Sequence, residues 1–263
     1  MSMTDTFRSL HAAGTFLIPN PWDVGSARYL EWRGVPALAT TSSGLAATLG
    51  RTDQTVTLDE LLAHVEGVTG AVGIPVNADS ERLFAPDSAG VARSVRLLAE
   101  AGAAGCSIED YDPATGAIDP LDLATERVAA TAEEAARHGM VLTARTENHL
   151  YGVTDLDDTI ERLRSYAGAG AEVVYAPGLT DLDQIGTVVA AVPAPVNMLA
   201  TAAGPSVAEL AGVGVRRVST GGALAWAALG GLRDAVDELL DRGTSTYTTR
   251  SLSGSDRAAV FGG

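Results

Sequence analysis

The sequence predicts an α/β chain folded as one (β/α)8 barrel of parallel strands spanning residues 1–263, and three observations predict it. Short apolar, β-branched runs alternate with longer amphipathic segments along the whole chain. Eight such pairs follow one another with no break in composition between them. The strand runs read as buried, which suits a closed barrel; a doubly wound open sheet is the competing arrangement.

Taken in order, the predicted strands cover 15–19, 37–41, 74–79, 105–109, 141–145, 172–176, 195–199 and 216–220. The predicted helices between and after them cover 24–32, 58–72, 87–101, 121–138, 156–168, 182–192, 206–211 and 223–240. The third helix shows its apolar face plainly, with Val91, Val95, Leu98 and Ala101 at helical spacing. Gly34, Gly102, Gly139 and Gly170 each stand just after a helix and before a strand, as helix stops do. Residues 223–263 form a C-terminal helical tail.

Composition narrows the chemistry. A net charge of −15 and an acidic pI near 4.5 set the chain against nucleic acid and anionic membranes, which would repel it. All 18 basic residues are arginine, so no lysine Schiff base or ammonium is available. The single Cys106 excludes an intrachain disulfide or a cysteine zinc site. No run is long and apolar enough to span a bilayer, and the N-terminal residues do not read as a signal peptide. The expectation is a cytoplasmic protein.

In a barrel of this kind the chemistry sits where the strands end. The second strand ends in Thr40-Thr41-Ser42-Ser43-Gly44, followed by Arg51 and Asp53; the third ends in Asp79 and Glu81. The fourth ends in Glu109-Asp110, the fifth in Arg145-Thr146-Glu147-Asn148, and the seventh carries Asn197. Carboxylates from neighbouring strand ends repel one another unless a cation lies among them. A hard divalent ion such as Mg2+ takes few protein carboxylates and keeps several waters. Asp79 is the expected direct ligand, with Asp53, Glu81 and Glu109 holding the ion's waters. Arg145 adds a fixed cation able to grip a carboxylate or phosphate, and Asn197 is a further candidate for substrate contact.

Of the four histidines only His149, just past the fifth strand, is a candidate acid or base; His11, His64 and His138 fall outside the strand ends. Cys106 lies within the fourth strand and reads as a small core residue. No Ser-His-Asp triad can be assembled.

With these residues in view, the chain resembles the isocitrate lyase / phosphoenolpyruvate mutase superfamily. The resemblance runs from FLIPNPWDVGSAR (16–28) to VSTGGALAWAALGGLRDAV (218–236), through TTSSGLAATLGRTD (40–53), NADSE (77–81), SIED (107–110), TARTEN (143–148) and PVNML (195–199). It implies a (β/α)8 barrel, Mg2+ (with Mn2+ as the alternative) and a 2-oxo acid or enolpyruvate bound to that metal. It also implies a homo-oligomer, a tetramer in which the last helix is exchanged between paired subunits. By motif, Ser43, Gly44 and Leu45 would bind the substrate carboxylate, Asp79, Asp53, Glu81 and Glu109 would serve the metal, and Arg145 would hold the substrate.

The departures from the family pattern matter as much. The lyases of the superfamily carry a Lys, Cys and His loop after the fourth strand; here residues 111–120 read YDPATGAIDP. The gating-loop Lys and Asn of phosphonomutases are also missing. RLFAP (82–86) replaces a glycine-rich segment, which is expected to alter the pocket wall, and Pro177 stands where some relatives place His or Glu. What remains suits a Mg2+-dependent C–C lyase or decarboxylase acting on a small 2-oxo dicarboxylic acid through a pyruvate enolate. A proton would come from water, Tyr111 or His149. Phosphonopyruvate or phosphoenolpyruvate chemistry and a non-catalytic ligand-binding barrel are the alternatives.

Overall fold

The computed structural model describes residues 1–262; Gly263, the last residue of the expected domain and tail, lies outside the described residues. A helix, α1 (Met3–Leu10), precedes β1 (Phe16–Ile18) and α2 (Val24–Trp32). Next come β2 (Leu38–Ala39), the short α3 (Ser42–Thr48), α4 (Leu58–Thr69), β3 (Val76–Ala78) and α5 (Ser88–Glu100). The chain continues through β4 (Gly105–Glu109), a small hairpin of β5 (Tyr111–Asp112) and β6 (Ala117–Ile118), α6 (Leu121–Arg137) and β7 (Val141–Arg145). After a 3-10 turn at Asn148–Tyr151 follow α7 (Leu156–Gly168), β8 (Val173–Tyr175), α8 (Leu182–Ala191), β9 (Val196–Leu199), α9 (Val207–Gly212) and β10 (Arg217–Ser219). The chain closes with α10 (Ala223–Arg242), a second 3-10 turn at Thr246–Arg250 and α11 (Gly254–Phe261).

Each of the eight expected strands contains an observed one, and all pair in parallel in the order β1-β10-β9-β8-β7-β4-β3-β2. The two ends of this sheet meet at β1 and β2. There the Ala39 N–H donates to the Pro19 carbonyl at 3.2 Å, and Asn20 Nδ2 donates to the Thr40 carbonyl at 2.8 Å. Asn20 Oδ1 in turn accepts the N–H groups of Thr220 and Gly221, both at 2.9 Å. One side chain therefore ties together the ends of β1, β2 and β10. The sheet is a nearly closed barrel, as expected, rather than the open alternative.

Strand periodicity explains where apolar and polar residues go. Cys106 and Ile108 of β4, Leu142 and Ala144 of β7, and Val218 of β10 face outward, into an apolar layer shared with Val91, Val95 and Leu98 of α5 and Val128 of α6. The alternate residues, Ser107, Glu109, Thr143, Arg145, Arg217 and Ser219, belong to the barrel interior, and all but Arg145 are almost fully buried. Most such barrels fill that interior with branched apolar side chains; here much of it is polar.

Three elements were not expected: α1, α3 and the β5–β6 hairpin; α11 falls within the expected helical tail. Ser2 caps α1 with a reciprocal box to Asp5, and the fully buried Phe7 packs with Ile18, Ala37, Ala104, Val141 and Val173. The helix thus plugs one end of the barrel. Gly105 makes room for it, since a Cβ there would lie 2.8 Å from the Phe7 ring and 2.7 Å from the Val141 carbonyl. No described helix is long and apolar enough to cross a membrane.

The segment where glycines were missed keeps a backbone that favours glycine. Glu81, Leu83 and Phe84 take φ of 45°, 62° and 55°, a left-handed conformation costing about 1–2 kcal/mol at each non-glycine residue. Packing enforces it. Leu83 is fully buried in the outer apolar layer, and Arg82 forks onto Asp119 at 2.8–3.0 Å. The buried Arg127 donates to the carbonyls of Arg82, Ala85 and Pro86 at 2.7, 2.9 and 3.2 Å. None of residues 82–86 lines the main pocket, so the expected change in its wall is not found there. Arg127→Met is expected to lower stability by about 3 kcal/mol, read as a lower urea midpoint, because three carbonyls of the strained loop lose their charged donor. Arg257→Met, at an exposed arginine with no side-chain partner among the described residues, serves as the neutral reference.

Candidate active site

The C-terminal ends of the strands surround one pocket of about 170 Å³, open to solvent. Arg145, the last residue of β7, stands at its wall and engages three carboxylates. Nη1 donates to Asp79 Oδ1 at 2.8 Å, Nε to Glu147 Oε1 at 2.8 Å, and Nη2 lies 3.3 Å from Glu109 Oε2. Its guanidinium carbon sits 5.3 Å from the centre of the Tyr175 ring. Burial works against the charge, but Glu147, Glu109 and Asp79 overcome it and hold the Arg145 pKa well above its ordinary value. Of its five N–H groups, two remain for a ligand.

Asp79 is fixed from every side. Its Oδ2 accepts the Ser42 N–H at 3.0 Å, in the first turn of α3, and Oδ1 also takes the Ser107 hydroxyl at 3.3 Å. Its own N–H donates to Thr40 Oγ1 at 2.8 Å. Asp53 lines the same pocket; Glu81 and Glu109 stand behind the wall, both buried. Gln54 reaches over to donate to Glu109 Oε1 at 2.7 Å.

The acids remain short of positive charge. Burial, then the charges of Asp79 and Asp53, pushes Glu81 up to about 8, and burial followed by Asp79 raises Asp53 as well. Burial pushes Glu109 well above the carboxylate range, with Arg145 pulling it back. Glu81 Oε1 is buried without a hydrogen-bond partner. Among the described residues no three acidic, histidine or cysteine side chains converge as direct ligands of one ion. That geometry matches one carboxylate bound directly, with the others reaching an ion through water, and the orphaned Glu81 oxygen is a free acceptor for such a water.

The expected substrate contacts divide. Ser43 and Asn197 line the pocket; Gly44 and Leu45 do not. The TSSGL segment is the start of α3, and the Gly44 and Leu45 N–H groups are taken up by Thr41 Oγ1 and the Thr41 carbonyl. Gly44 is there for packing, since a Cβ would meet Thr41 at 2.6 Å and Trp22 at 2.9 Å, and the Leu45 side chain lies in the apolar layer. Nor are Tyr111 and His149 brought to the pocket wall. Tyr111 stacks on Tyr151 with ring centres 3.7 Å apart, and His149 Nε2 pairs with Thr159 Oγ1 at 3.1 Å. Leu150 and Pro177 present an apolar wall instead.

Asn20, Ser42, Ser107, Tyr175 and Arg217 also line the pocket but were not among the candidate site residues. Asn20 stands in FLIPNPWD and Ser107 in SIED, so motif position was the available signal. Arg217 and Tyr175 sit inside apolar runs that gave none.

Glu81 also predicts a pH dependence. Its unfolded pKa near 4.5 rises to about 8 on folding, so the folded state binds more protons between those values. Stability of the chelator-treated protein is therefore highest near pH 5 and falls as pH rises through 8. The whole fall amounts to a few kcal/mol at most. Thermal melts from pH 5 to 9 are expected to show that fall, and Glu81→Gln to flatten it.

The chain matches the model of the family described as phosphoenolpyruvate phosphomutase over residues 7–240. A crystal structure from Burkholderia cenocepacia J2315, described as a lyase/mutase, superposes with a TM-score of 0.95 at 46% identity, covering 99% of this chain and 96% of the other. The oxaloacetate decarboxylase of Bradyrhizobium sp. (strain ORS 278) is 32% identical over 66% of this chain and 62% of its own. The 2-methylisocitrate lyase of Escherichia coli (strain K12) is 32% identical over 57% of this chain and 53% of its own. On this agreement of sequence, barrel and strand-end residues, the chain belongs to the phosphoenolpyruvate phosphomutase family, within the isocitrate lyase / phosphoenolpyruvate mutase superfamily.

Proposed function

We propose that the protein is a Mg2+-dependent carbon–carbon lyase or decarboxylase acting on a small 2-oxo dicarboxylic acid, with oxaloacetate the first compound to test. The observation that carries this reading is the Asp79–Arg145 pair at 2.8 Å on the pocket wall, with the expected donors Tyr111 and His149 outside the lining. The names of the relatives, an oxaloacetate decarboxylase and a 2-methylisocitrate lyase, support the reaction class.

Asp79 would hold the metal directly, and Asp53, Glu81 and Glu109 would hold its waters. When bound, the ion supplies Lewis-acid stabilisation for the oxygen of an enolate. Arg145 contributes a cation already oriented by three carboxylates, so little reorganisation is needed as negative charge grows on that oxygen. Its two free N–H groups are the donors available for it. The Ser43 hydroxyl, which accepts from Trp226 Nε1 at 3.2 Å, can orient the substrate. Leu150 and Pro177 suit a carboxylate that leaves as neutral CO2, because an apolar wall disfavours the charged form. With Tyr111 and His149 turned away, the proton that completes pyruvate comes from water in the open pocket.

The 20-residue α10 bears on assembly. Only Ala225 and Glu238 of this helix are buried, while Trp226, Leu229, Leu232, Val236 and Leu240 are exposed. Such a face supports exchange of this helix within a homo-oligomer.

Purified protein with Mg2+ is expected to form pyruvate from oxaloacetate faster than Mg2+ alone, and Asp79→Ala to lower kcat/KM at least about 100-fold. No pyruvate from oxaloacetate or 2-alkylmalate-type acids, with Asp79→Ala indistinguishable from the parent, would sink the reading. Phosphate release from phosphoenolpyruvate, or a P–C product seen by phosphorus NMR, would point to phosphoryl chemistry instead. Light scattering is expected to give a multiple of the 26.9 kDa chain mass, with Leu232→Asp shifting it downward.

A further inference from the structure

Arg145 leans on Glu147, and Glu147 lies where the strand has already ended. Arg145 closes β7; two residues on, Glu147 turns its side chain back so that Oε1 takes the Arg145 Nε–H at 2.8 Å. The chain is leaving the sheet at this point. The Thr146 N–H donates to the Tyr175 carbonyl at 2.9 Å, and a 3-10 turn begins at Asn148. Asp110, the residue after β4, fixes the Glu147 backbone, its Oδ1 accepting the Glu147 N–H at 2.8 Å.

Asp110 is held in turn from α7. Its Oδ2 accepts the Tyr166 hydroxyl at 2.6 Å and Arg162 Nη1 at 3.2 Å. Those two residues stand four apart on one helix face, so both reach the same oxygen. Arg162 is itself fixed, with Nε donating to Asp158 Oδ2 at 2.8 Å and Nη1 to the Asp119 carbonyl at 2.9 Å. Asp110, Glu147 and Tyr166 are all buried, and the gap where Tyr166, Asp110, Glu109 and Arg145 face one another is too small for a water molecule. In so dry and close-packed a space a side chain has little slack. The arrangement is also costly, because Asp110 repels the Glu147 charge. A fold that had only to tie β4 to α7 could use apolar side chains of similar volume. None of Asp110, Glu147, Arg162 and Tyr166 lines the pocket; Arg145 does.

We infer that Asp110, held by Tyr166 and Arg162, is a positioning residue for Arg145 that acts through Glu147, so that the inner face of α7 sets ligand affinity in a pocket it does not touch. The inference deepens the proposed function and rests on it only for Arg145 being the cation that meets the ligand's anionic oxygens. If Asp110 loosens, Glu147 drifts, and Arg145 loses the partner on Nε while keeping Asp79 and Glu109. The plane of its fork is then free to turn, and its two unpaired N–H groups turn with it.

The test uses the full chain with Mg2+ and oxalate as the probe, a planar dianion that imitates a pyruvate enolate and cannot be turned over to pyruvate. Tyr166→Phe removes one oxygen from a fully buried ring, and Glu147→Ala cuts the link to Arg145. By calorimetry, Tyr166→Phe is expected to bind oxalate about three- to tenfold more weakly than the parent, and Glu147→Ala at least about tenfold more weakly. In the Glu147→Ala background, Tyr166→Phe is expected to change the affinity no further, while its lowering of the melting temperature persists. A hydroxyl with a merely structural role would lower the melting temperature without that dependence on Glu147. A parent that does not bind oxalate, or a folded Tyr166→Phe that binds it as the parent does, overturns the inference. Equal weakening by Tyr166→Phe with and without the Glu147 side chain overturns it too. If Tyr166→Phe does not fold, Arg162→Lys takes its place in the same comparison, with the same outcomes decisive. Oxalate binding that follows the variants as expected, without turnover of any 2-oxo acid, would leave this inference standing and remove the proposed reaction. Turnover of oxaloacetate with oxalate affinity untouched in the variants would do the reverse.

Discussion

The mouth of the barrel depends on one guanidinium. Arg145 gathers Asp79, Glu109 and Glu147 from the ends of three different strands, each within 3.3 Å. Without it these carboxylates would face one another in a buried space, where their repulsion is weakly screened. A planar fork with five donors can serve three acceptors and still leave two donors free; an ammonium cannot. The absence of lysine from the chain does not weaken this site, because the task belongs to arginine in any case. Around this centre, Ser42, Ser107 and Thr40 fix Asp79, so the acid that would meet a metal is placed before any ligand arrives.

Much of the fold was legible because strands and helices carry their period in the sequence. The strand centred on Val141–Arg145 was read to the residue, since apolar Leu142 and Ala144 alternate with Thr143 and Arg145. The helix α1 was not, because its eight residues give a single buried aromatic, Phe7, and no longer pattern. At the site, the acids were legible as strand-end residues, and Asp79, Asp53, Arg145, Ser43 and Asn197 do meet at one pocket. Tyr111 and His149 show the limit of that logic. They lie beside the rim in sequence, but side-chain direction is set by partners remote in sequence or fold, here Tyr151 and Thr159.

Residues 81–84 carry a related lesson about substitution. The loss of glycine was read as a change in the pocket wall, yet the backbone takes a left-handed path because Arg127 and Ser94 hold it from outside and Arg82 is anchored on Asp119. Tertiary contacts overrode local preference. The same contacts keep this strained loop close to Glu81 and hence to the acidic group beside Asp79.

Asn20 gives the barrel a seam. Seven of the eight strand junctions are proper ladders, while β1 and β2 touch through the Ala39–Pro19 hydrogen bond and the amide of Asn20. Local opening favours the place where the fewest buried hydrogen bonds must break. In this molecule that place runs beside the pocket, since Asn20, Thr40 and Thr41 belong to its lining. The least-bonded line of the barrel therefore runs one strand away from Asp79 and the carboxylate clamp it joins.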